Sequence, residues 1–117
     1  MGAATEAMDY HLAEFEIALD PRRPEHLMPP LGARHRRVLD VGCGAGQTLA
    51  AAAVLHPAAG RLACGVDVVV ASVAAGRARW PALALAAARD EALPYGDASF
   101  DLVFSRVALP YMHVGAA

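Results

Sequence analysis

Lysine is absent from this chain, and all ten of its basic residues are arginine. The 12 acidic residues slightly outnumber them, so the formal net charge at pH 7 is −2. A protein that binds nucleic acid or an anionic membrane through its overall charge carries a basic excess, because that excess neutralises phosphate groups. The composition therefore predicts neither nucleic acid nor a membrane as a partner.

Cysteines, clustered histidines and long apolar runs are also scarce. The two cysteines lack a Cys-x-x-Cys spacing, which favours reduced thiols in a cytoplasmic protein. The five histidines are scattered, so no metal site is predicted. The apolar runs are too short, or too interrupted by Asp and Arg, to cross a bilayer, and residues 1–6 do not resemble a secretory signal.

Apolar residues are plentiful in total, at 56% hydrophobic against 19% charged. This balance predicts a packed core rather than disorder. A length of 117 residues allows one domain of modest size.

A glycine-rich turn between a predicted strand and a predicted helix is the main motif. The strand residues 38–41 lead into Gly42, Gly44 and Gly46 on alternate positions, and residues 48–55 are strong helix formers. Glycine allows sharp turns with positive φ and lets a ligand lie against the main chain. The loop is expected to bring a nucleotide-like ligand to free N–H groups at the helix N-terminus.

The spacing of the glycines distinguishes two families of nucleotide-binding proteins. In the dinucleotide fingerprint G-x-G-x-x-G the third glycine would come one position later, where this chain has Gln47. The run instead resembles the D-x-G-x-G-x-G loop of the class I S-adenosylmethionine-dependent methyltransferases. That resemblance implies a loop around the methionine part of S-adenosylmethionine, formed by Asp40, Gly42, Cys43, Gly44 and Gly46.

A second acidic residue, Asp67, ends the predicted buried strand 61–67. A carboxylate at this place can accept hydrogen bonds from both hydroxyls of a ribose, in dinucleotide enzymes and methyltransferases alike. The alternative is an N-cap for the predicted helix 69–79, and one residue can serve both roles. Val68, which follows Asp67, is assigned to the same cofactor site.

Residues 89–105 carry a second resemblance to the methyltransferase family, in the pattern of an acidic residue, Leu-Pro-aromatic, a turn and Ser-Phe-Asp. The family usually has an Asp five residues before the proline, which accepts a hydrogen bond from the adenine. This chain has Arg89 there, and arginine has no acceptor. The adenine contact is therefore assigned to Asp90, with Glu91 beside it either in the site or as a solvent charge.

The end of the fourth predicted strand is where cofactor and substrate are expected to meet. Ser105 is assigned to the cofactor site there, next to Arg106. Tyr111 and His113 follow, and His113 is either a base near neutral pH or an exposed residue. No catalytic residue is assigned. Asp101 is expected to face the edge of the sheet or to cap the strand entrance, rather than to take part in catalysis.

The resemblance implies an α/β fold of the Rossmann-like methyltransferase type. It has a parallel sheet in the order 3-2-1-4 with helices on both faces, truncated after the fourth strand. Residues 1–34 are expected to form an N-terminal helix and a proline-rich linker, and residues 35–117 are expected to form the cofactor-binding half of a domain that is incomplete at its C-terminus. The N-terminal helix is expected either to border the substrate pocket or only to cover the sheet. Residues 82–88 favour a helix by propensity, and a strand by length and place.

The expected activity is S-adenosylmethionine-dependent methyl transfer to a small-molecule acceptor, whose acceptor atom stays open between carbon, nitrogen and oxygen. A non-catalytic remnant that binds the cofactor is one alternative, and a nicotinamide-dependent oxidoreductase domain is the other. The fourth strand is expected to leave an apolar edge open, which favours self-association.

Overall fold

The computed structural model describes residues 3–23, 28–89 and 99–105. Within these ranges the chain forms three helices and four strands, in the order α1 Ala3–Leu19, β1 Arg37–Val41, α2 Gln47–Leu55, β2 Leu62–Asp67, α3 Val70–Arg79, β3 Ala84–Ala87 and β4 Leu102–Phe104. None of the helices described in those ranges is long and apolar enough to cross a membrane.

The four strands form one parallel sheet in the order β3-β2-β1-β4. This confirms the predicted strand order. In the sheet, Leu39 of β1 lies between Cys64 of β2 and Val103 of β4. Because the strands are parallel, their carboxyl ends meet at one edge of the sheet, which brings the glycine loop next to Asp67. Within the described residues β4 pairs with β1 alone, as expected for an edge strand.

The central strand β1 is buried on both faces, which explains its continuous apolar run. Val38 faces the helices and packs with Leu49 of α2 and Val73 of α3. Leu39 faces the other way and packs with Cys64 and the strand residues on either side. Since side chains alternate along a strand, Asp40 lies on the same face as Val38, which is the face that the helices cover.

Residues 84–87 form a strand in spite of their alanine content. Ala84 pairs with Cys64 and Ala87 pairs with Asp67, so β3 completes one side of the sheet. Leu85 is 3% exposed and packs into the core beneath α3. Pairing with β2 therefore outweighs the helix propensity of alanine at this position.

Helix α1 packs against α2 and α3 and ends where Pro21 follows Asp20. Its Phe15 ring lies 5.2 Å from the ring of Trp80, measured between centroids. Trp80 is half-buried there.

The segment before β1 is fastened to the amino end of the sheet. Arg61 donates hydrogen bonds to the carbonyl oxygens of Gly32, His35 and His56, at 2.9, 2.8 and 2.6 Å. His35 is buried, and its Nδ1 accepts a hydrogen bond from the Gly32 amide at 2.9 Å.

Asp101 caps the entrance of β1, as predicted. Its two carboxylate oxygens accept hydrogen bonds from the amides of Arg36 and Arg37, at 3.0 and 3.1 Å. Both arginine side chains are exposed. The carboxylate therefore ties the start of β4 to the start of β1.

Candidate cofactor site

The loop between β1 and α2 depends on glycine for its conformation. Gly42, Gly44 and Gly46 have φ angles of 76°, 61° and 89°, in the region that other residues rarely adopt. At Gly44 space is limiting as well, because a β-carbon there would lie 2.6 Å from Cε1 of His11. At Gly46 a β-carbon would lie 2.8 Å from Cδ1 of Leu83. The loop is therefore held between α1 on one side and β3 on the other.

Three amides of the loop donate hydrogen bonds to backbone carbonyls. The N–H groups of Gly42 and Cys43 both donate to the carbonyl oxygen of Val66, at 2.9 Å each. The Gly46 amide donates to the carbonyl of Cys43, also at 2.9 Å. These bonds join the loop to β2 and close its tight turn.

The remaining two amides of the loop donate to side chains. The Gly44 amide donates to Oδ2 of Asp67 at 2.8 Å, and the Ala45 amide donates to Oε1 of Gln47 at 3.1 Å. Together with the backbone bonds, they occupy every N–H group from Gly42 to Gly46. The free N–H groups were expected at the N-terminus of the helix, and the amides of the loop before it are all engaged within the protein. A pyrophosphate, which needs such donors, fits this loop poorly.

Asp67 holds two segments of backbone at once. While Oδ2 accepts from the Gly44 amide, Oδ1 accepts from the Val69 amide at 2.8 Å. The alternative that Asp67 is the N-cap of α3 is wrong, because the N-cap residue is Val69 and it has no side-chain cap. A carboxylate has about four acceptor sites, so Asp67 keeps capacity for ligand hydroxyls. Val68, next to it, is 64% exposed.

Helix α1 contributes polar side chains to the same site. The sequence analysis gave a position beside the pocket as one alternative for this helix, but it assigned none of its residues to the site. Nε2 of His11 lies 3.1 Å from Oγ of Ser72 in α3. Glu14, one turn further along α1, accepts a hydrogen bond from the side-chain amide of Gln47 at 2.9 Å. Because Gln47 also accepts from the Ala45 amide, the contact links α1 to the loop.

These groups enclose a pocket of about 190 Å³ at the carboxyl end of the sheet. Its lining residues are Tyr10, His11, Glu14, Asp40, Gly42, Cys43, Gly44, Gln47, Thr48 and Asp67. The structure thus brings together five residues that the sequence assigned to the cofactor site, namely Asp40, Gly42, Cys43, Gly44 and Asp67.

The other assigned residues do not line this pocket or fall outside the described chain. The α-carbon of Gly46 lies against the side chains of Leu83 and Leu85, in and next to β3. Val68 and Ser105 are not among the lining residues. The remaining calls concern Asp90, Glu91, the Leu-Pro passage, Arg106, Tyr111 and His113, all of which lie outside the described residues.

The charged residues that line the pocket are acidic. They are Glu14, Asp40 and Asp67, and neither lysine nor arginine occurs among the described lining residues. Asp40 is only 2% exposed. Such a pocket attracts a ligand that carries positive charge and disfavours a polyanion.

Two titratable groups of the pocket are shifted toward their neutral forms. Burial raises the pKa of the Cys43 thiol, and the negative charges of Asp40 and Asp67 add to the effect. Cys43 is therefore a thiol rather than a reactive thiolate. Burial also lowers the pKa of His11, although Glu14 and Asp67 act in the opposite direction.

A larger cavity, of about 460 Å³, lies toward the amino ends of the strands. Its lining is apolar apart from Arg61, and this guanidinium group already donates to three backbone carbonyls. Because the larger cavity offers few polar groups, the smaller pocket at the glycine loop is the better candidate for a site with chemical function.

A family model described as "Methyltransferase domain" matches residues 38–116, which include the glycine loop, β2 and Asp67. The chain belongs to this family. The resemblance to the class I S-adenosylmethionine-dependent methyltransferases and the Rossmann-like fold are thereby confirmed. No curated protein matches the chain.

Solved structures agree with the family assignment. One matching chain comes from the complex between the Haloferax volcanii Trm112 methyltransferase activator and a candidate methyltransferase. Its sequence is 25% identical to this chain, with a TM-score of 0.62 over 94% of this chain. An S-adenosylmethionine-dependent methyltransferase from Mesorhizobium loti is 31% identical, with a TM-score of 0.57 over 74%. The amino pentose methyltransferase CalS10 from Micromonospora echinaspora, bound to S-adenosylmethionine, is 27% identical, with a TM-score of 0.52 over 91%. This methyltransferase-family chain spans 45%, 38% and 37% of the lengths of those three chains, respectively.

Proposed function

We propose that this chain binds S-adenosylmethionine between α1 and the glycine loop, and that it supplies the cofactor site for methyl transfer to a small-molecule acceptor. The observation that carries the proposal is the pocket at the loop. It combines an acidic lining with a loop whose five amides are already engaged by the protein. A cofactor that carries an ammonium and a sulfonium and no phosphate suits both features.

Two carboxylates of the pocket contact different parts of this cofactor. Asp40, buried at the carboxyl end of β1, pairs with the ammonium of the methionine end. Asp67, half-buried at the end of β2, accepts hydrogen bonds from the ribose hydroxyls while it keeps its contacts with the loop. Gly44 has no side chain, which leaves room for the ring of His11 over its α-carbon. Asp90 and Glu91 remain the proposed contacts of the adenine.

S-adenosylmethionine, when bound, supplies an activated methyl group, so few protein groups are needed for the transfer. The contribution of this chain is to hold the methionine end and the ribose in one orientation, which accounts for much of the rate enhancement in such reactions. The residues that would bind the acceptor, or take a proton from it, stay unassigned. Ser105, at the end of β4, is proposed to lie near the reacting groups.

The nicotinamide-dependent alternative is less well supported. A dinucleotide needs free N–H groups and tolerates few negative charges near its pyrophosphate. The loop amides are engaged here, and Asp40 lies directly before the loop.

Calorimetric titration with S-adenosylmethionine, with its demethylated product and with NAD tests the assignment. We expect the first two ligands to bind and NAD not to bind. Asp40→Asn should weaken binding of the product by about 1.5–3 kcal/mol, the usual size for a hydrogen bond to a charged group. The exposed carboxylate Asp9 provides the matched control, since Asp9→Asn should leave binding unchanged. Tighter binding of NAD than of either methionine-containing ligand would overturn the assignment.

A separate measurement distinguishes an enzyme from a remnant that only binds the cofactor. The chain is incubated with S-adenosylmethionine and a panel of carbon, nitrogen and oxygen acceptors, and formation of the demethylated product is followed. Acceptor-dependent product supports methyl transfer, whereas binding without any turnover over the panel favours the remnant.

A further inference from the structure

His11 has one ring nitrogen that is buried without a hydrogen-bond partner. The residue is 8% exposed, and its Nε2 faces Oγ of Ser72 at 3.1 Å. Its Nδ1 has no partner in the described structure. A buried polar atom without a hydrogen-bond partner destabilises the protein, so such an atom calls for an explanation.

The unpartnered nitrogen lies directly on the glycine loop. A β-carbon on Gly44 would be 2.6 Å from Cε1 and 3.0 Å from Nδ1 of His11, so this edge of the ring covers the α-carbon of Gly44. His11 also lines the pocket that contains Asp40 and Asp67. The nitrogen is therefore next to the surface where the methionine end of the cofactor is proposed to lie.

We propose that His11 binds the carboxylate of the cofactor's methionine end by donating a hydrogen bond from Nδ1. This inference rests on the proposed function, because it needs S-adenosylmethionine or its product in the pocket. No other residue in the functional assignment has this role.

The charges of the pocket support a donor at this position. The ligand's ammonium has a partner in Asp40, but its carboxylate faces a lining with three acidic residues and, among the described residues, neither lysine nor arginine. The side-chain amide of Gln47 already donates to Glu14. His11 is the described lining residue that can become a cation near neutral pH.

The groups around His11 set the direction of its pH dependence. Glu14 lies on the same helix, Asp67 at the end of β2 and Asp40 in β1, and the ring of Tyr10 is 5.3 Å away between centroids. Without ligand, burial keeps the pKa of His11 below its ordinary value. A bound carboxylate favours the protonated ring and raises the pKa in the complex. Binding therefore tightens as the pH falls, and this gain is lost as the pH rises through the pKa of the complex.

Two substitutions separate the nitrogens of His11. His11→Gln places an amide near the position of Nε2, so it keeps the contact with Ser72 and loses Nδ1. His11→Asn places an amide near Nδ1 and loses the contact with Ser72. His56→Gln, at an exposed histidine after α2, is the control. Thermal unfolding without ligand establishes that each variant is folded.

Two ligands separate the methionine end from the rest of the cofactor. The demethylated product, S-adenosylhomocysteine, carries the amino acid group, and 5′-methylthioadenosine lacks it. We expect His11→Gln to bind the product about tenfold or more weakly, about 1.4 kcal/mol, and to bind methylthioadenosine as the unmodified chain does. We expect His11→Asn to retain more of the affinity for the product than His11→Gln does. The difference between the unmodified chain and His11→Gln should grow from pH 8 to pH 6.

The results that contradict the inference are distinct from those that contradict the function. If the unmodified chain binds both ligands and His11→Gln binds the product equally well, the role of His11 is overturned and the cofactor site stands. Equal losses for both ligands would assign His11 a purely structural role. If the unmodified chain binds neither ligand, the proposed function is overturned, and the role of His11 with it.

Discussion

The Gly44 amide donates a hydrogen bond of 2.8 Å to Oδ2 of Asp67, and this bond joins the glycine loop to the end of β2. The other oxygen of the same carboxylate accepts from the Val69 amide at 2.8 Å. The residue proposed to bind the ribose therefore also holds the loop and the start of α3 in place. Binding and stability are linked at this one side chain.

Asp67→Ala should lower both the stability and the cofactor affinity of the chain. It removes the acceptor of the two amide N–H groups, and hydrogen bonds to charged groups contribute about 1.5–3 kcal/mol each at most. We expect a lower midpoint of thermal unfolding without ligand and weaker binding in calorimetry. Asp67→Asn keeps one acceptor oxygen and should fall between the two proteins. An unchanged unfolding midpoint in Asp67→Ala would contradict the structural half of this role.

Gly76→Ala should destabilise the protein, although it replaces glycine by alanine inside a helix. By helix propensity alone the change would stabilise α3 by about 1 kcal/mol. In the structure, however, a β-carbon at Gly76 would overlap the carbonyl oxygen of Ala45 in the glycine loop. Because that neighbour is backbone, the overlap is relieved only if α3 moves away from the loop. We expect a net loss of about 1–3 kcal/mol in urea unfolding.

An exposed position on the same helix gives the control for Gly76. Ala78→Gly should cost about 1 kcal/mol, as expected from propensity alone. If Gly76→Ala instead raises the free energy of unfolding, the close packing of α3 on the loop is wrong.

Asp101 should make the stability of the chain depend on acidic pH. Loss of hydration acts to raise its pKa, but the hydrogen bonds from the Arg36 and Arg37 amides lower the pKa below the ordinary value overall. A lowered pKa in the folded state means that the stabilisation is fully present above the pKa of the unfolded chain. It is lost as the pH falls through the folded value.

Comparison with Asp101→Asn measures this contribution. The unmodified chain should have the higher unfolding midpoint at pH 7, and the difference should shrink as the pH approaches 3. Asp9→Asn, at an exposed carboxylate of α1, controls for the loss of one negative charge. A difference that stays constant from pH 7 to pH 3 would show that the charged form of Asp101 has no such role.

The elements of the fold could be predicted from the sequence to within a few residues. The predicted strands 38–41 and 61–67 correspond to β1 and β2, and the proline after His56 follows the end of α2. Ala84–Ala87 was the difficult element, because alanine favours a helix and only the place of the segment after a strand and a helix indicated a strand. Pairing with β2 makes this segment a strand.

The site was predicted in part. Asp40, Gly44 and Asp67 came together because the carboxyl ends of adjacent parallel strands share one edge of the sheet. The hydrogen-bond partners of the loop amides were not predicted. Their partners are the Val66 carbonyl and the side chains of Asp67 and Gln47, and no local pattern shows which acceptors tertiary packing will supply.

The sequence by itself determined the features that depend on near neighbours along the chain. Glycine at positions 42, 44 and 46 makes positive φ possible, and the apolar strand before them places the loop at the edge of a sheet. Only the tertiary structure decided which surfaces meet. His11 lies over Gly44, and Gly76 lies under Ala45, through contacts between residues far apart in the sequence. Such contacts depend on how helices pack on the sheet, and periodicity within one helix does not specify the partner that its buried face will find.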